Sequence, residues 1–221
     1  MLRLGILIGG VGVVGVGVLW WLWPARKGPG APTERVLSVW LVPPAEACTT
    51  LRSEMQAVAT RLGLPMFEPH ITLVGDAGSL SNEKMLRKLA RLKGTGAVPI
   101  KFAKITAGKH PGQRPPWNQA AVAVVEENDP LLRLRRLTAS AFQVEARWAP
   151  PLERPHLSLA YAESSPTDDL SAKGCAAFGV PASFTADTVV VAEVAPDRSP
   201  KSIWRSCQQD AWREVARISL M

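Results

Sequence analysis

Two of the three histidines in this 221-residue chain sit in closely matched surroundings. Phe67-Glu68-Pro69-His70-Ile71-Thr72-Leu73 parallels Glu153-Arg154-Pro155-His156-Leu157-Ser158-Leu159. Each reads Pro-His, an apolar residue, a hydroxyl residue, then Leu. In an extended strand, residues i and i+2 point to the same face, about 6.5–7 Å apart. His70 therefore shares a face with Thr72, and His156 with Ser158, while Ile71, Leu73, Leu157 and Leu159 point into a core. Two such strands side by side bring two imidazoles and two hydroxyls to one ligand.

That set suits an acid–base reaction at an anionic centre such as a cyclic phosphate. One histidine takes a proton from water, and the other gives one to the leaving oxygen. An imidazole can do either near neutral pH, each role contributing about 10²–10⁴-fold. The Thr72 and Ser158 hydroxyls can donate to phosphate oxygens as charge develops. No metal or other cofactor is expected, because no third histidine or clustered carboxylates stand in reach by sequence. A single His-x-Thr is more often a structural histidine, so the inference rests on the pair. His110, in a loop rich in Pro and Gly, has no such setting.

The elements that would position these motifs follow from hydrophobic periodicity. Arg35–Val42 reads as a strand ended by Pro43-Pro44. Ala45–Leu62 carries Ala47, Leu51, Met55, Val58 and Leu62 on one helical face, with Gly63 as the stop. A strand over Phe67–Val74 holds the first motif. A helix over Asn82–Leu92 turns Met85, Leu86, Leu89 and Leu92 inward. Strands follow over Val98–Thr106 and Ala120–Val125, separated by the loop Gly108–Trp117. The next helix runs to about Phe142, with Asp129 as N-cap and Pro130 at its first position. Pro155–Tyr161 is the second motif strand, Thr167–Phe178 a helix, and Thr185–Val194 and Trp212–Leu220 the last strands. Helix, histidine strand, helix, strand thus occurs twice, which predicts an α+β domain of two similar lobes.

The amino-terminal segment is of another kind. Leu4 to Trp23 is a run of twenty residues without a charge. As a helix it would span about 30 Å, the thickness of a bilayer's hydrocarbon core. Trp20, Trp21 and Trp23 gather at one end, where interfacial aromatics belong, and Arg26 and Lys27 follow. A single-pass transmembrane helix over residues 1–23 and a Pro/Gly-rich linker over 24–34 are expected, with the catalytic domain over 35–221. The expected location is therefore a membrane, on a side and in a compartment that the flanking charges leave open. Gly10-Val11-Gly12-Val13-Val14-Gly15 matches a dinucleotide-binding fingerprint, but that motif needs a strand before it and a helix after it. Inside an apolar run ending at Trp23-Pro24, it has neither.

The net charge of +7 includes +3 from residues 1–35, so the domain is modestly basic. This suits an anionic small ligand without requiring a polyanion surface. Arg133, Arg135 and Arg136 are expected on the solvated face of their helix. Cys48, Cys175 and Cys207 lack metal-ligand spacing and do not imply a disulfide framework.

The paired H-x-[TS]-x motifs resemble those of the 2H phosphoesterase superfamily, and are closest to the cyclic nucleotide phosphodiesterases of plants and yeast. Ser38-Val39-Trp40-Leu41-Val42-Pro43 resembles that family's first strand. Phe67–Leu73 and Pro155-His156-Leu157-Ser158-Leu159-Ala160-Tyr161 resemble its two half-sites, within a likeness over about residues 36–220. The resemblance implies a two-lobed fold with two antiparallel sheets flanking a central cleft. It implies metal-independent hydrolysis of 2′,3′-cyclic nucleotides, RNA ends or ADP-ribose 1″,2″-cyclic phosphate to 2′-phosphate or 1″-phosphate products. By that analogy His156 with Ser158 activates water and His70 protonates the leaving oxygen, though sequence alone does not fix the assignment. Tyr161 maps to a phosphate contact and Trp40 to the cleft wall near the base, with core packing an equal alternative for Trp40. Two other readings stand beside this one. They are a nucleotide- or RNA-binding module without turnover, and an RNA-end-processing enzyme of the same superfamily.

Overall fold

The computed structural model describes residues 36–108, 119–144, 155–161, 178–194 and 212–221. The expected transmembrane helix, the linker, the loop with His110, most of the expected helix over Thr167–Phe178, and Cys175 and Cys207 lie outside these residues. Among the described residues no helix is long and apolar enough to cross a membrane.

The order of elements is β1 (Val36–Val42), α1 (Ala45–Leu62), β2 (Ile71–Val74), α2 (Asn82–Ala90), β3 (Val98–Gly108) and β4 (Gln119–Val125). Then come α3 (Asp129–Phe142), β5 (His156–Tyr161), β6 (Ser183–Ala186), β7 (Thr188–Val194) and β8 (Arg213–Ser219). The strands form one antiparallel sheet in the order β6-β3-β4-β5-β2-β1-β7-β8. The two flanking sheets implied by the resemblance are thus two halves of a single sheet, joined where β2 meets β5. That seam is narrow, with the pair Ile71↔Leu157, whereas β1 and β7 are paired from Val36↔Val194 to Val42↔Thr188.

The repeated element pattern has a topological counterpart. The units β1-α1-β2 and β4-α3-β5 each place a helix between a strand and a histidine strand. Each half of the sheet then receives a strand from the other part of the chain. β3 pairs with β4, and β7 returns to pair with β1. The histidine strands are left together at the centre.

Local sequence explains the helix ends. Gly63 takes φ +64° and donates its N–H to the Ala59 carbonyl, a left-handed C-cap suited to glycine. The α3 N-cap is Asn128 rather than Asp129, its side chain accepting from the Leu131 N–H at 2.9 Å. Both residue types cap well, but only Asn128 adopts the extended backbone that the position requires.

Leu51, Met55, Val58, Met85, Leu89, Leu131 and Leu134 from the helices pack with Leu37, Val39, Leu41, Ile71, Leu73, Leu157 and Leu159 from one face of the sheet. Each fully buried aliphatic side chain of this kind contributes about 1.5–3 kcal/mol. Leu86, expected inward, is exposed; it lies a residue, about 100°, around the helix from Met85 and off the buried stripe. Arg135 departs in the other direction. It is only 3% exposed, because Leu131, Leu134 and Thr138 define the stripe on which it falls. Burial lowers its pKa, with Glu127 opposing.

The opposite face of the sheet carries a smaller cluster of Trp40, Val190 and Ala192, with Val42, Val194 and Trp212 against it. The histidine motifs open onto this face.

Candidate active site

Ile71 lies opposite Leu157 across the central seam. Extending that antiparallel register by one residue in each direction sets His70 against Ser158 and Thr72 against His156. The two imidazoles are diagonal neighbours, with Cα atoms about 7–8 Å apart. Four polar side chains from two sequence-distant motifs therefore share one patch, while Ile71 and Leu157 fill the core behind it. Trp40 on β1 is the cross-strand neighbour of Thr72, and Val124 on β4 that of His156.

His70 comes just before β2, and Phe67 to His70 lie outside the ladder, so that strand is shorter than the periodicity suggests. Its ring is fixed on several sides. Nδ1 lies 2.7 Å from the Glu68 carbonyl. A carbonyl only accepts, so Nδ1 carries the proton and, in the neutral ring, Nε2 holds the lone pair. Trp40 stacks on the imidazole, with centroids 3.9 Å apart and planes at 16°. Trp212 meets it edge-on at 5.3 Å. The Trp40 ring is held in turn by Nε1 donating to Ser38 Oγ at 2.6 Å, and Ser38 donates to the Val74 carbonyl at 3.0 Å.

The consequence is electrostatic. His70 is 7% exposed, and burial pushes its pKa from the ordinary 6.5 down to about 4. The Glu68 carbonyl opposes that shift and the nearby His156 adds to it. At neutral pH His70 is thus an uncharged imidazole with an accepting Nε2. His156 is partly exposed, and its strand neighbour Val124 is aliphatic. Two half-sites alike in sequence have unlike surroundings.

Ser158 is buried and accepts from Tyr161 Oη at 3.0 Å. In a regular strand these two residues would point to opposite faces. An irregularity in the β4–β5 ladder, where Ala121 pairs with Ala160 but Val122 with Ser158, places an extra residue on β5 and turns Tyr161 back. Tyr161 thus orients the Ser158 hydroxyl, a contact the sequence did not foretell. Trp40, only 5% exposed, has a ring face occupied by His70 and sits against the histidine as packing.

Two aromatic residues join the site that motif reading passed over. Phe67 meets Tyr161 at 4.8 Å and Trp212 at 5.5 Å, and Trp212 meets Trp40 at 5.1 Å. Phe67 stands three residues before His70 and could have been read from the motif. Trp212 comes from the far end of the chain, where no local signal marks it. Glu68 turns its carboxylate to Arg52 of α1 in a surface ion pair, leaving its carbonyl to His70. Among the described residues, no three His, Cys, Asp or Glu side chains are grouped as metal ligands.

The structure is similar to the crystal structure of E. coli LigT in apo form, with a TM-score of 0.50 and 16% sequence identity over 85% of this chain and 98% of that chain. E. coli LigT complexed with 3′-AMP gives a TM-score of 0.49 and 17% identity, over 85% and 99% of the two chains. No protein-family model matches the chain, and no curated protein matches it in sequence. The likeness shows that the chain shares the fold of E. coli LigT.

Proposed function

We propose that the chain is a phosphodiesterase that opens 2′,3′-cyclic phosphates on nucleotides, with His70 as general base and His156 as general acid. The observation that carries this reading is the asymmetry of the paired half-sites. His70 is dry, neutral and oriented, with its lone pair on Nε2, while its diagonal partner His156 is partly open to solvent. The role order implied by the resemblance is thereby reversed, because an imidazole with a pKa near 4 is a poor proton reservoir at pH 7.

In the proposed reaction, His70 Nε2 takes a proton from water as the water oxygen bonds to phosphorus. The bond from phosphorus to the ribose O3′ breaks, and His156 gives its proton to that oxygen, leaving a 2′-phosphate. Thr72 and Ser158 donate to the non-bridging oxygens, and Tyr161 fixes the serine hydroxyl. No step calls on a cofactor. The apolar segment Leu4–Trp23 is proposed to tether this activity to a membrane.

Phosphorus NMR of the protein with 2′,3′-cyclic AMP tests the reading. Conversion to 2′-AMP is expected. Failure to hydrolyse any 2′,3′-cyclic nucleotide would overturn it, and saturable binding of 2′-AMP without turnover would favour a binding module.

A further inference from the structure

Two aromatic rings touch His70, and they differ in one respect. Trp40 is buried, but Trp212 is only partly so. Trp212 immediately precedes the edge strand β8, where Arg213 pairs with Glu193 of β7. From there it meets Trp40 at 5.1 Å, His70 at 5.3 Å and Phe67 at 5.5 Å, each edge-on. It is the member with one side toward solvent and the other toward the imidazole.

We infer that Trp212 is a positioning residue for this site, the outer wall that keeps water off the His70 ring and holds that ring against Trp40. The inference rests on the reading of His70 as the base. A neutral imidazole buried against these rings cannot hydrate its charged form, so it stays unprotonated until the substrate's anionic phosphate arrives. Trp40 holds the ring plane and the Glu68 carbonyl sets the tautomer, but Trp40 is buried whereas Trp212 borders solvent. Among the described residues, the strand neighbours of the other half-site are of a different kind. Trp40 faces Thr72 across the strands, whereas the matching neighbour of Ser158 is Val122. Trp212 thus helps make His70 the acceptor of the pair.

Other groups near His70 are placed so that they do not substitute for this wall. From β5 come His156, which lowers the His70 pKa, and Tyr161, engaged with Ser158. Glu68 is paired with Arg52 of α1, and Arg217 with Glu214 within β8. The β1 and β7 residues of this cluster, Trp40, Val42, Val190, Ala192 and Val194, carry no titratable group.

The test is a side-chain NMR titration of the full chain, which holds only three histidines to assign. In the native protein His70 should titrate near pH 4. Trp212→Ala should raise that midpoint by about one pH unit or more, and Trp212→Gln should do the same. Trp212→Leu, which keeps the wall dry, should leave it low. Where turnover of 2′,3′-cyclic AMP is measured, the acid limb of kcat/KM should move with the midpoint while KM changes little. An unchanged His70 midpoint in whichever of the Ala and Gln variants retains the native far-UV circular dichroism overturns the inference, as does loss of that spectrum in both, which would make Trp212 a fold residue. A native protein with no turnover but a Trp212-dependent midpoint would instead refute the proposed function and leave the wall standing.

Discussion

Burial of a neutral His70 couples the stability of the fold to pH. The unfolded chain binds a proton at this residue with the ordinary pKa of 6.5, the folded chain with one of about 4. Between these values the unfolded state holds more protons, so stability rises with pH through this window and falls as the solution is acidified. The full gap is worth about 3.4 kcal/mol at about 1.4 kcal/mol per tenfold change in affinity. Most of it develops early, with about 2 kcal/mol lost between pH 7.5 and pH 5 by the same linkage relation. Urea unfolding of the native protein and of His70→Gln at these two pH values reads the term directly. Glutamine has no titration here, so the native protein should lose about 2 kcal/mol more than the variant on acidification. The remaining titrating groups are shared and cancel. Equal losses in the two proteins would refute the account of a dry, uncharged imidazole.

Three further substitutions probe the scaffold. Ser38→Ala leaves the Trp40 indole N–H and the Val74 carbonyl without the hydroxyl that links them, and should lower stability by about 1–3 kcal/mol in denaturant unfolding. Asn128→Ala removes both the α3 cap and the bond from Asn128 Nδ2 to the Pro99 carbonyl, for an expected loss of about 1–2 kcal/mol in the same measurement. Tyr161→Phe removes the donor that orients the Ser158 hydroxyl. It should lower kcat for cyclic phosphate opening several-fold while reducing stability by only about 1 kcal/mol.

What the sequence disclosed about this fold is local and periodic. The α1 stripe of Leu51, Met55 and Val58, its Gly63 stop, and the inward Ile71 and Leu157 all follow from spacing alone, and all are found. The same spacing gave the common face of His70 and Thr72. Errors came where two local solutions compete. Asn128 and Asp129 are both good caps, and backbone geometry chooses between them. Thr185–Val194 reads as one strand, yet the chain breaks at Asp187, so that β6 pairs with β3 at one edge of the sheet and β7 lies between β1 and β8, which tertiary pairing alone decides. Arg135 is expected outward from its spacing with Arg133 and Arg136, yet it falls on the buried stripe of Leu131, Leu134 and Thr138.

The site was legible in part for the same reason. Motif identity marked the histidines and hydroxyls, but strand register determines which of them meet, and register belongs to the folded sheet. The inequality of His70 and His156 was invisible, because it is made by Trp40, Trp212 and a backbone carbonyl rather than by the motif. Tyr161 was recognised by resemblance, while its contact with Ser158 depends on a ladder irregularity that no residue type announces.

The central claim is that two histidines act together on one phosphate. Its most direct measurement is kcat/KM for 2′,3′-cyclic AMP in the native protein, His70→Ala, His156→Ala and the double variant. Each single substitution should reduce the rate by about 10²–10⁴-fold, and the double variant should fall little further, as for groups that work as a unit. Near-native turnover in either single variant, or losses that multiply fully in the double, would contradict it.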